Sequence, residues 1–148
     1  MSQRIKKETL INKLVKYPVI FLIGAIVYMG IEILWRGYTH WTMGVLGGII
    51  LILIGLIDEV AREDIPLLWQ APIGSIIITL LEYYAGWILN IKLNLDIWDY
   101  SDLPFNVDGQ VCLPFSLLWM LLSVVAVWLD NFIRWKLFNE PRKKICLI

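Results

Sequence analysis

The sequence predicts an all-α integral membrane protein, with four transmembrane helices in a compact bundle and an ordered extracytoplasmic loop between the third and fourth helices. Composition is the first observation: the 148 residues are 59% hydrophobic and 18% charged, with a mean hydropathy of +0.70. Soluble domains are less apolar and carry more charge. The second observation is four apolar segments, each close to the roughly 20 residues that a helix needs to cross a bilayer. The third is the crowding of Lys and Arg at both ends of the chain.

The predicted spans cover residues 18–36, 41–60, 71–92 and 111–133 and make up one transmembrane domain, 18–133. A basic segment, 1–17, precedes this domain, and a basic tail, 134–148, follows it. The first span follows basic residues, as the apolar part of a signal peptide would. It contains Glu32, however, and no Ala-x-Ala cleavage site follows it. We therefore expect this segment to be retained as a transmembrane helix.

The distribution of basic residues predicts that both termini are cytoplasmic. Five basic residues precede the first span and five follow the fourth: Arg4, Lys6, Lys7, Lys13 and Lys16, then Arg134, Lys136, Arg142, Lys143 and Lys144. Cytoplasmic segments carry an excess of Lys and Arg. The second loop has only Arg62 among four acidic residues, but acidic residues contribute little to this rule. The expected protein crosses the membrane several times and places residues 93–110 outside the cytoplasm.

Several classes of function are disfavoured by charge and cysteine content. The 13 basic and 13 acidic residues balance, and no clustered basic surface suggests a nucleic-acid partner. Cys112 and Cys146 flank the last span and would lie about 30 Å apart, which is beyond the reach of a disulfide. We predict no metal ligand, no catalytic residue and no cofactor.

Small and polar residues recur at helical spacing on the predicted spans. On the third span they are Ser75, Thr79, Glu82, Gly86 and Asn90, and on the fourth they are Cys112, Ser116, Trp119, Ser123, Ala126 and Asp130. The second span carries a G-x-x-x-G pair, Gly44 and Gly48. Small residues at this spacing allow the backbones of membrane helices to approach closely. These faces predict tight helix packing and say nothing about catalysis.

Two carboxylates within the spans are candidate functional groups, because an ionised side chain at that depth costs about 2.5–3.5 kcal/mol on insertion scales. Glu32 has Arg36 one turn away, whereas Glu82 has no basic residue within a turn of sequence. Gly24 and Gly74 each precede a Glu by eight residues, which suggests two hairpins related as parallel repeats. We predict one polar cluster of Glu32, Arg36 and Glu82 that binds a ligand. The alternative is an ionic pairing that only fixes the helix order.

The stretch "WDYSDLPFNVDGQ", which starts at residue 98, predicts an ordered loop and not a flexible tether. Trp98 and Tyr100 have the amphipathic rings of interfacial anchors. Pro104 restricts the residue before it to extended backbone. The following "NVDG" contains residues that tolerate turn conformations. We expect this loop to fold as a structured cap over the outer end of the helices.

The second half of the chain combines many uncommon residues at close spacing. They are Glu82, Gly86, Trp87, Trp98, Asp99, Tyr100, Ser101, Pro104, Phe105, Asn106, Gly109, Cys112, Leu113, Ser116 and Trp119. In this pattern the chain resembles the bacterial membrane family labelled "putative ABC-transporter type IV", also called CmpB-like permeases. The resemblance implies a role in transport. It implies no particular substrate and no catalytic residue.

Three functions are compatible with these features. The first is a transporter-like or permease-associated protein that binds a small or amphiphilic substrate between its helices. The second is an oligomeric assembly protein, effector or pore. The third is a membrane enzyme acting on a lipid headgroup, with loop carboxylates as metal or acid–base groups: Asp96, Asp99, Asp102 and Asp108. Turn-forming aspartates exposed to solvent are the simpler interpretation of those four residues.

The expected partners follow from what the chain lacks. It has no G-x-x-x-x-G-K-[ST] loop, so ATP-driven transport would need a separate ATPase subunit. Four spans are few for a complete transporter, which favours a homo-oligomer or a partner membrane subunit within the lipid bilayer.

Labelling of single cysteines should verify the predicted topology. In a background with Cys112 and Cys146 replaced by Ser, Ser101→Cys should react with a membrane-impermeant maleimide in intact cells. Ser2→Cys, in the basic N-terminal segment, should react only after permeabilisation. Labelling of Ser101→Cys that required permeabilisation would show that the predicted orientation is wrong.

Overall fold

The computed structural model describes residues 2–60 and 65–141 of the chain. The described residues form four helices and one two-stranded hairpin. In chain order the elements are α1 (Ser2–Arg36), α2 (Trp41–Val60), α3 (Leu67–Gly86), a π-helical segment (Trp87–Lys92), β1 (Asn106–Val107), β2 (Val111–Cys112) and α4 (Leu113–Phe138). Four residues used in the topology prediction lie outside the described ranges, namely Arg62, Arg142, Lys143 and Lys144, and so does Cys146 of the disulfide argument.

Three helical segments in the described part of the chain are long and apolar enough to cross a membrane. They are Leu14–Arg36, Leu67–Lys92 and Leu113–Phe138. The apolar part of α2, Trp41–Ile57, is shorter. The structure therefore supports a membrane-embedded, all-helical protein with three long apolar helices and one shorter apolar helix.

The helix boundaries depart from the sequence prediction mainly at prolines. α1 begins at Ser2 and continues through Pro18, where we expected the first span to begin. An interior proline removes one helical hydrogen bond, but the side chains of Lys16 and Ile20 on either side of it are buried. α3 begins at Leu67, directly after Pro66, and α4 extends to Phe138 instead of ending near residue 133.

The described residues fall into two compact units. The first contains residues 2–52 and 129–141, so it includes α1, most of α2 and the end of α4. The second contains residues 53–60 and 65–128, so it includes α3, the hairpin and most of α4.

Glycines bring α1 and α2 into backbone contact within the first unit. A Cβ added at Gly24 would lie 2.8 Å from the carbonyl oxygen of Gly47 and 2.8 Å from the Cβ of Leu51. A Cβ added at Gly48 would meet the ring of Phe21 at 2.7 Å from its Cε2. The small-residue face predicted on α2 therefore packs against a neighbouring helix, as the sequence indicated.

A charged network joins α1 to the end of α4 in the first unit. Lys16 Nζ lies 2.9 Å from Glu140 Oε1, and Arg134 Nε lies 2.6 Å from Asp130 Oδ2. Arg134 Nη1 also lies 3.7 Å from Glu140 Oε2. The chain turns back at Asn139, which has a φ of +53°, so that the amide of Glu140 donates to the carbonyl of Arg134 at 3.2 Å. Buried charges are tolerated when they are paired in this way.

In the second unit the predicted polar faces of α3 and α4 pack against each other. Ser75 Oγ donates to the carbonyl oxygen of Ser116 at 2.6 Å, and Thr79 Oγ1 donates to Ser116 Oγ at 3.0 Å. A Cβ added at Gly74 would lie 2.6 Å from Ser123 Oγ. The two helices are therefore in close contact along the faces that their spacing predicted.

Gly74→Ala should destabilise the protein by about 1–3 kcal/mol, because its methyl group would overlap Ser123 in a well-packed interface. Gly30→Ala is a matched control, since a Cβ there meets nothing within 4 Å and the change raises helix propensity. Thermal unfolding in detergent micelles measures both effects. Equal melting temperatures for the two variants would contradict the packing described here.

Candidate functional site

Glu82 is a buried carboxylate in the middle of a candidate membrane span. Its residue surface is 2% exposed. Trp119 Nε1 donates a hydrogen bond to Glu82 Oε2 at 2.7 Å, and the Tyr100 hydroxyl donates to Glu82 Oε1 at 3.1 Å. Burying a carboxylate is costly unless hydrogen bonds replace those from water. The side chain thus faces the protein interior and is satisfied in part by these two neutral donors.

Aromatic stacking fixes the position of the Tyr100 donor. The Tyr100 ring stacks on Phe115 with a centroid distance of 4.5 Å and an interplanar angle of 14°. The Phe115 ring in turn lies 6.1 Å from Trp119. The backbone amide of Tyr100 donates to the carbonyl of Gly109 at 2.7 Å. The two donors to Glu82 thus belong to a group of three aromatic rings that contact one another.

Asn90 fastens the loop that follows α3, defined here as the 93–112 loop. Its buried side chain accepts from the amide of Ile97 at 2.7 Å and donates to the carbonyl of Trp98 at 2.9 Å. It also donates to Gln110 Oε1 at 2.8 Å. Asn90 belongs to the π-helical segment, where the amide of Leu93 donates to the carbonyl of Ile88 at 3.0 Å. π-helical turns often occur at functional sites.

The absence of a side chain at Gly86 lets the loop approach α3. A Cβ there would lie 2.9 Å from Gln110 Cβ and 2.9 Å from Trp98 Cζ2. The Trp98 indole also donates to the carbonyl of Gln110 at 2.9 Å. The loop is thus held against the helix by packing and by hydrogen bonds of its own residues.

A tight hairpin forms the second half of the loop. Asp108 and Gly109 both have positive φ, +52° and +67°, and the amide of Gln110 donates to the carbonyl of Val107 at 3.0 Å. Asp108 and Gly109 are thus the central residues of a tight β-turn, and three residues, 108–110, separate the paired Val107 and Val111 of the antiparallel strands. The Asn106 side chain supports the preceding bend by donating to the carbonyls of Ser101 and Leu103. These strands were not predicted from the sequence.

Two of the loop aspartates, Asp99 and Asp108, accept side-chain hydrogen bonds. Asp99 Oδ1 accepts from the hydroxyl of Ser101 at 2.5 Å and from its amide at 2.8 Å, which lowers the pKa of Asp99 from its ordinary value. Asp108 Oδ2 accepts from the Tyr83 hydroxyl at 2.9 Å. Within residues 2–60 and 65–141, no group of three or more His, Cys, Asp or Glu side chains is placed to hold a metal ion.

Glu32 and Arg36 form the ion pair expected from their spacing, and they lie in the first unit. Arg36 Nη2 is 2.7 Å from Glu32 Oε1. Thr39 Oγ1 donates to Glu32 Oε2 at 2.5 Å, and the Arg36 guanidinium lies 4.6 Å from the centroid of the Tyr38 ring. Glu82 belongs to the second unit. A single cluster of Glu32, Arg36 and Glu82 stays a prediction.

The remaining predicted site residues divide by role. Tyr100 and Trp119 contact Glu82 directly, and Ser116 packs at the α3–α4 interface. The others lie in the loop and its hairpin: Trp98, Asp99, Asn106, Gly109 and Cys112. Sequence reasoning did not identify the roles of Asn90, Gln110 and Phe115. The position of Asn90 on the polar face of the third span was the one available signal.

Comparison with known proteins gives one family. The family model described as "Putative ABC-transporter type IV" matches residues 6–147. Neither a curated protein nor a solved structure matches the chain. Since the match extends over nearly the whole sequence, the chain belongs to the family described as putative ABC-transporter type IV.

Proposed function

We propose that this membrane protein is a permease component that binds the cationic group of a small or amphiphilic substrate at Glu82, between α3 and α4. The observation that supports this proposal is the pair of hydrogen bonds to the Glu82 carboxylate. One donor, Trp119, belongs to a membrane-spanning helix, and the other, Tyr100, belongs to a loop. A buried ionisable residue within a span is more often functional than incidental.

Substrate binding would replace one of the two donors. Trp119 is fixed on α4 and would keep Glu82 Oε2 in place, whereas Tyr100 occupies Oε1 from the loop. A cationic group beside Oε1 would be attracted by the charge of the carboxylate in a site of low dielectric constant. An ammonium group would in addition donate a charge-assisted hydrogen bond, which is roughly twice as strong as one between neutral groups. The loop would then open and close the site as the Tyr100 hydroxyl leaves and returns.

The proposal includes the surroundings that the sequence suggests. The four helices would form a bundle in the bacterial cytoplasmic membrane, with both termini cytoplasmic and with two hairpins as parallel repeats. The protein would act as a homo-oligomer or beside a partner membrane subunit, and a separate ATPase would supply energy. The family description supports this transport role.

Binding of tetraphenylphosphonium to the protein in lipid nanodiscs should test the site. Glu82→Gln should weaken binding at least about tenfold, or 1.4 kcal/mol, because the amide has no charge to offer the cation. Tyr100→Phe should strengthen binding several-fold, because the cation no longer displaces a hydroxyl from the carboxylate while the ring can still stack on Phe115. Equilibrium dialysis with radiolabelled probe gives both affinities.

Two controls separate the site from general electrostatic or hydrophobic effects. Asp102→Asn removes the same charge from an exposed position in the loop and should leave the affinity unchanged. Tetraphenylborate has the same shape with the opposite charge, and its binding should not weaken in Glu82→Gln. Equal loss of phosphonium binding in Asp102→Asn and Glu82→Gln would contradict a specific site, provided that thermal unfolding shows both variants folded.

A double-mutant cycle should decide whether Glu32 belongs to the same functional cluster as Glu82. If it does, the combined effect of Glu32→Gln and Glu82→Gln on phosphonium affinity should differ from the sum of the single effects by more than about 0.5 kcal/mol. Additive effects within that margin would show that the predicted cluster is two independent groups.

A further inference from the structure

The 93–112 loop folds back along α3 instead of extending beyond its end. The apolar segment that includes α3 ends at Lys92. Yet Asp108, at the turn of the hairpin, accepts from the hydroxyl of Tyr83, and Tyr100 bonds to Glu82. Tyr83 is nine residues before Lys92, which corresponds to a distance on the order of 10 Å along the helix. The hairpin turn therefore lies beside the candidate span.

The start of α4 is consistent with this position. Ser116 contacts Ser75 and Thr79, so residues near 116 are level with residues near 79 on the facing helix. α4 begins at Leu113, three residues before Ser116, and is therefore approximately level with Glu82, three residues after Thr79. The last turns of α3 and its π-helical extension continue past the beginning of α4. The hairpin fills the space beside them.

The loop backbone is bonded internally, as irregular backbone at membrane depth must be. Asn90 accepts from the amide of Ile97 and donates to the carbonyl of Trp98. The Asn106 side chain donates to the carbonyls of Ser101 and Leu103, and the amides of Leu103, Tyr100 and Gln110 donate within the loop. These bonds replace ones that an aqueous loop would make with water.

The loop exposes both apolar and polar side chains. Phe105 is 79% exposed and Val107 is 52% exposed, although Phe105 has a φ of +54°, which a bulky residue rarely adopts. The exposed aspartates Asp96 and Asp102 provide polar surface in the same loop. The first part of the loop, just after Lys92, also contains two exposed apolar residues, Leu93 and Leu95.

We infer that the 93–112 loop is a lipid-docking element, with Phe105 and Val107 inserted at the boundary between the headgroups and acyl chains of one leaflet. The occupant of this surface is the bilayer itself. The hairpin that carries Val107 lies beside α3 at the level of the candidate span, because the neighbouring Asp108 accepts from Tyr83. Exposed Leu93 and Leu95 extend the apolar surface of the segment that ends at Lys92. The loop has four aspartates and no Lys, Arg or His, so the attraction would be hydrophobic and not directed to anionic lipid. This inference is independent of ligand binding at Glu82.

Spin labels at single cysteines provide the test. Nitroxides are placed at Phe105→Cys, Asp102→Cys and Leu121→Cys in full-length protein, with the native cysteines replaced by Ser. Asp102 is the polar reference within the same loop, and Leu121, 67% exposed on α4, is the reference for lipid contact. The protein is reconstituted in phosphatidylcholine nanodiscs, with and without phosphatidylglycerol. Power saturation then compares collisions with oxygen, which partitions into lipid, and with a water-soluble nickel chelate.

The label at residue 105 should have an oxygen-to-nickel collision ratio at least several-fold above that at residue 102 and approaching that at residue 121. The ratio should change little when phosphatidylglycerol is added. A ratio at residue 105 as low as that expected of a label in water, and equal to that at residue 102, would overturn the inference. A label at residue 105 that is immobile and shielded from both reagents would show that protein covers the surface, which would also overturn it. Each labelled variant should keep the thermal unfolding transition of the unlabelled protein, which establishes that the comparison concerns folded protein.

Discussion

The burial of the Glu82 carboxylate is the constraint on which the second unit depends. A carboxylate at this depth needs donors that hold their positions without water. Trp119 supplies one from the facing helix, so α3 and α4 must remain in register. Tyr100 supplies the other from the loop, so the loop must fold back to the level of the carboxylate. The contacts that fasten the loop, through Asn90 and Gly86, maintain this arrangement.

Close backbone approach is the second requirement, because apolar side chains gain little from contacting each other instead of lipid. Packing and hydrogen bonds between the helices therefore have to supply the free energy of helix association. Gly24 serves this purpose between α1 and α2, and Gly74 does so beside Ser123. Ser75 and Thr79, on the same face of α3 as Gly74, donate to Ser116 and so satisfy polar atoms between the helices.

Sequence reasoning was most successful where a feature repeats along a helix. The limits of α2 agree with the predicted 41–60, and the polar faces of the third and fourth spans do meet. The Glu32–Arg36 pair was also predictable, because residues four apart on a helix are neighbours. These features depend on local spacing, which a single sequence displays directly.

Features that depend on distant parts of the chain were not predictable in the same way. The Tyr100 bond joins residues 18 apart through a loop whose path is set by Asn90 and a π-helical segment without any sequence signature. Similarly, Lys16 meets Glu140 across 124 residues. α1 continues through Pro18 because the packing of flanking residues offsets the lost hydrogen bond, and local propensity cannot reveal that balance.

The carboxylates on the helices differ in their donors in a way that bears on function. Asp130 and Glu32 each pair with an arginine one turn along the same helix, so this donor and the carboxylate are carried by one rigid element. At Glu82 the Tyr100 and Trp119 bonds come from two other elements, one of which is a loop. A bond within one helical turn is hard to exchange without unwinding the helix. The bond from Tyr100 can break when the loop moves, and that makes Glu82 the carboxylate best placed to exchange a protein donor for a ligand.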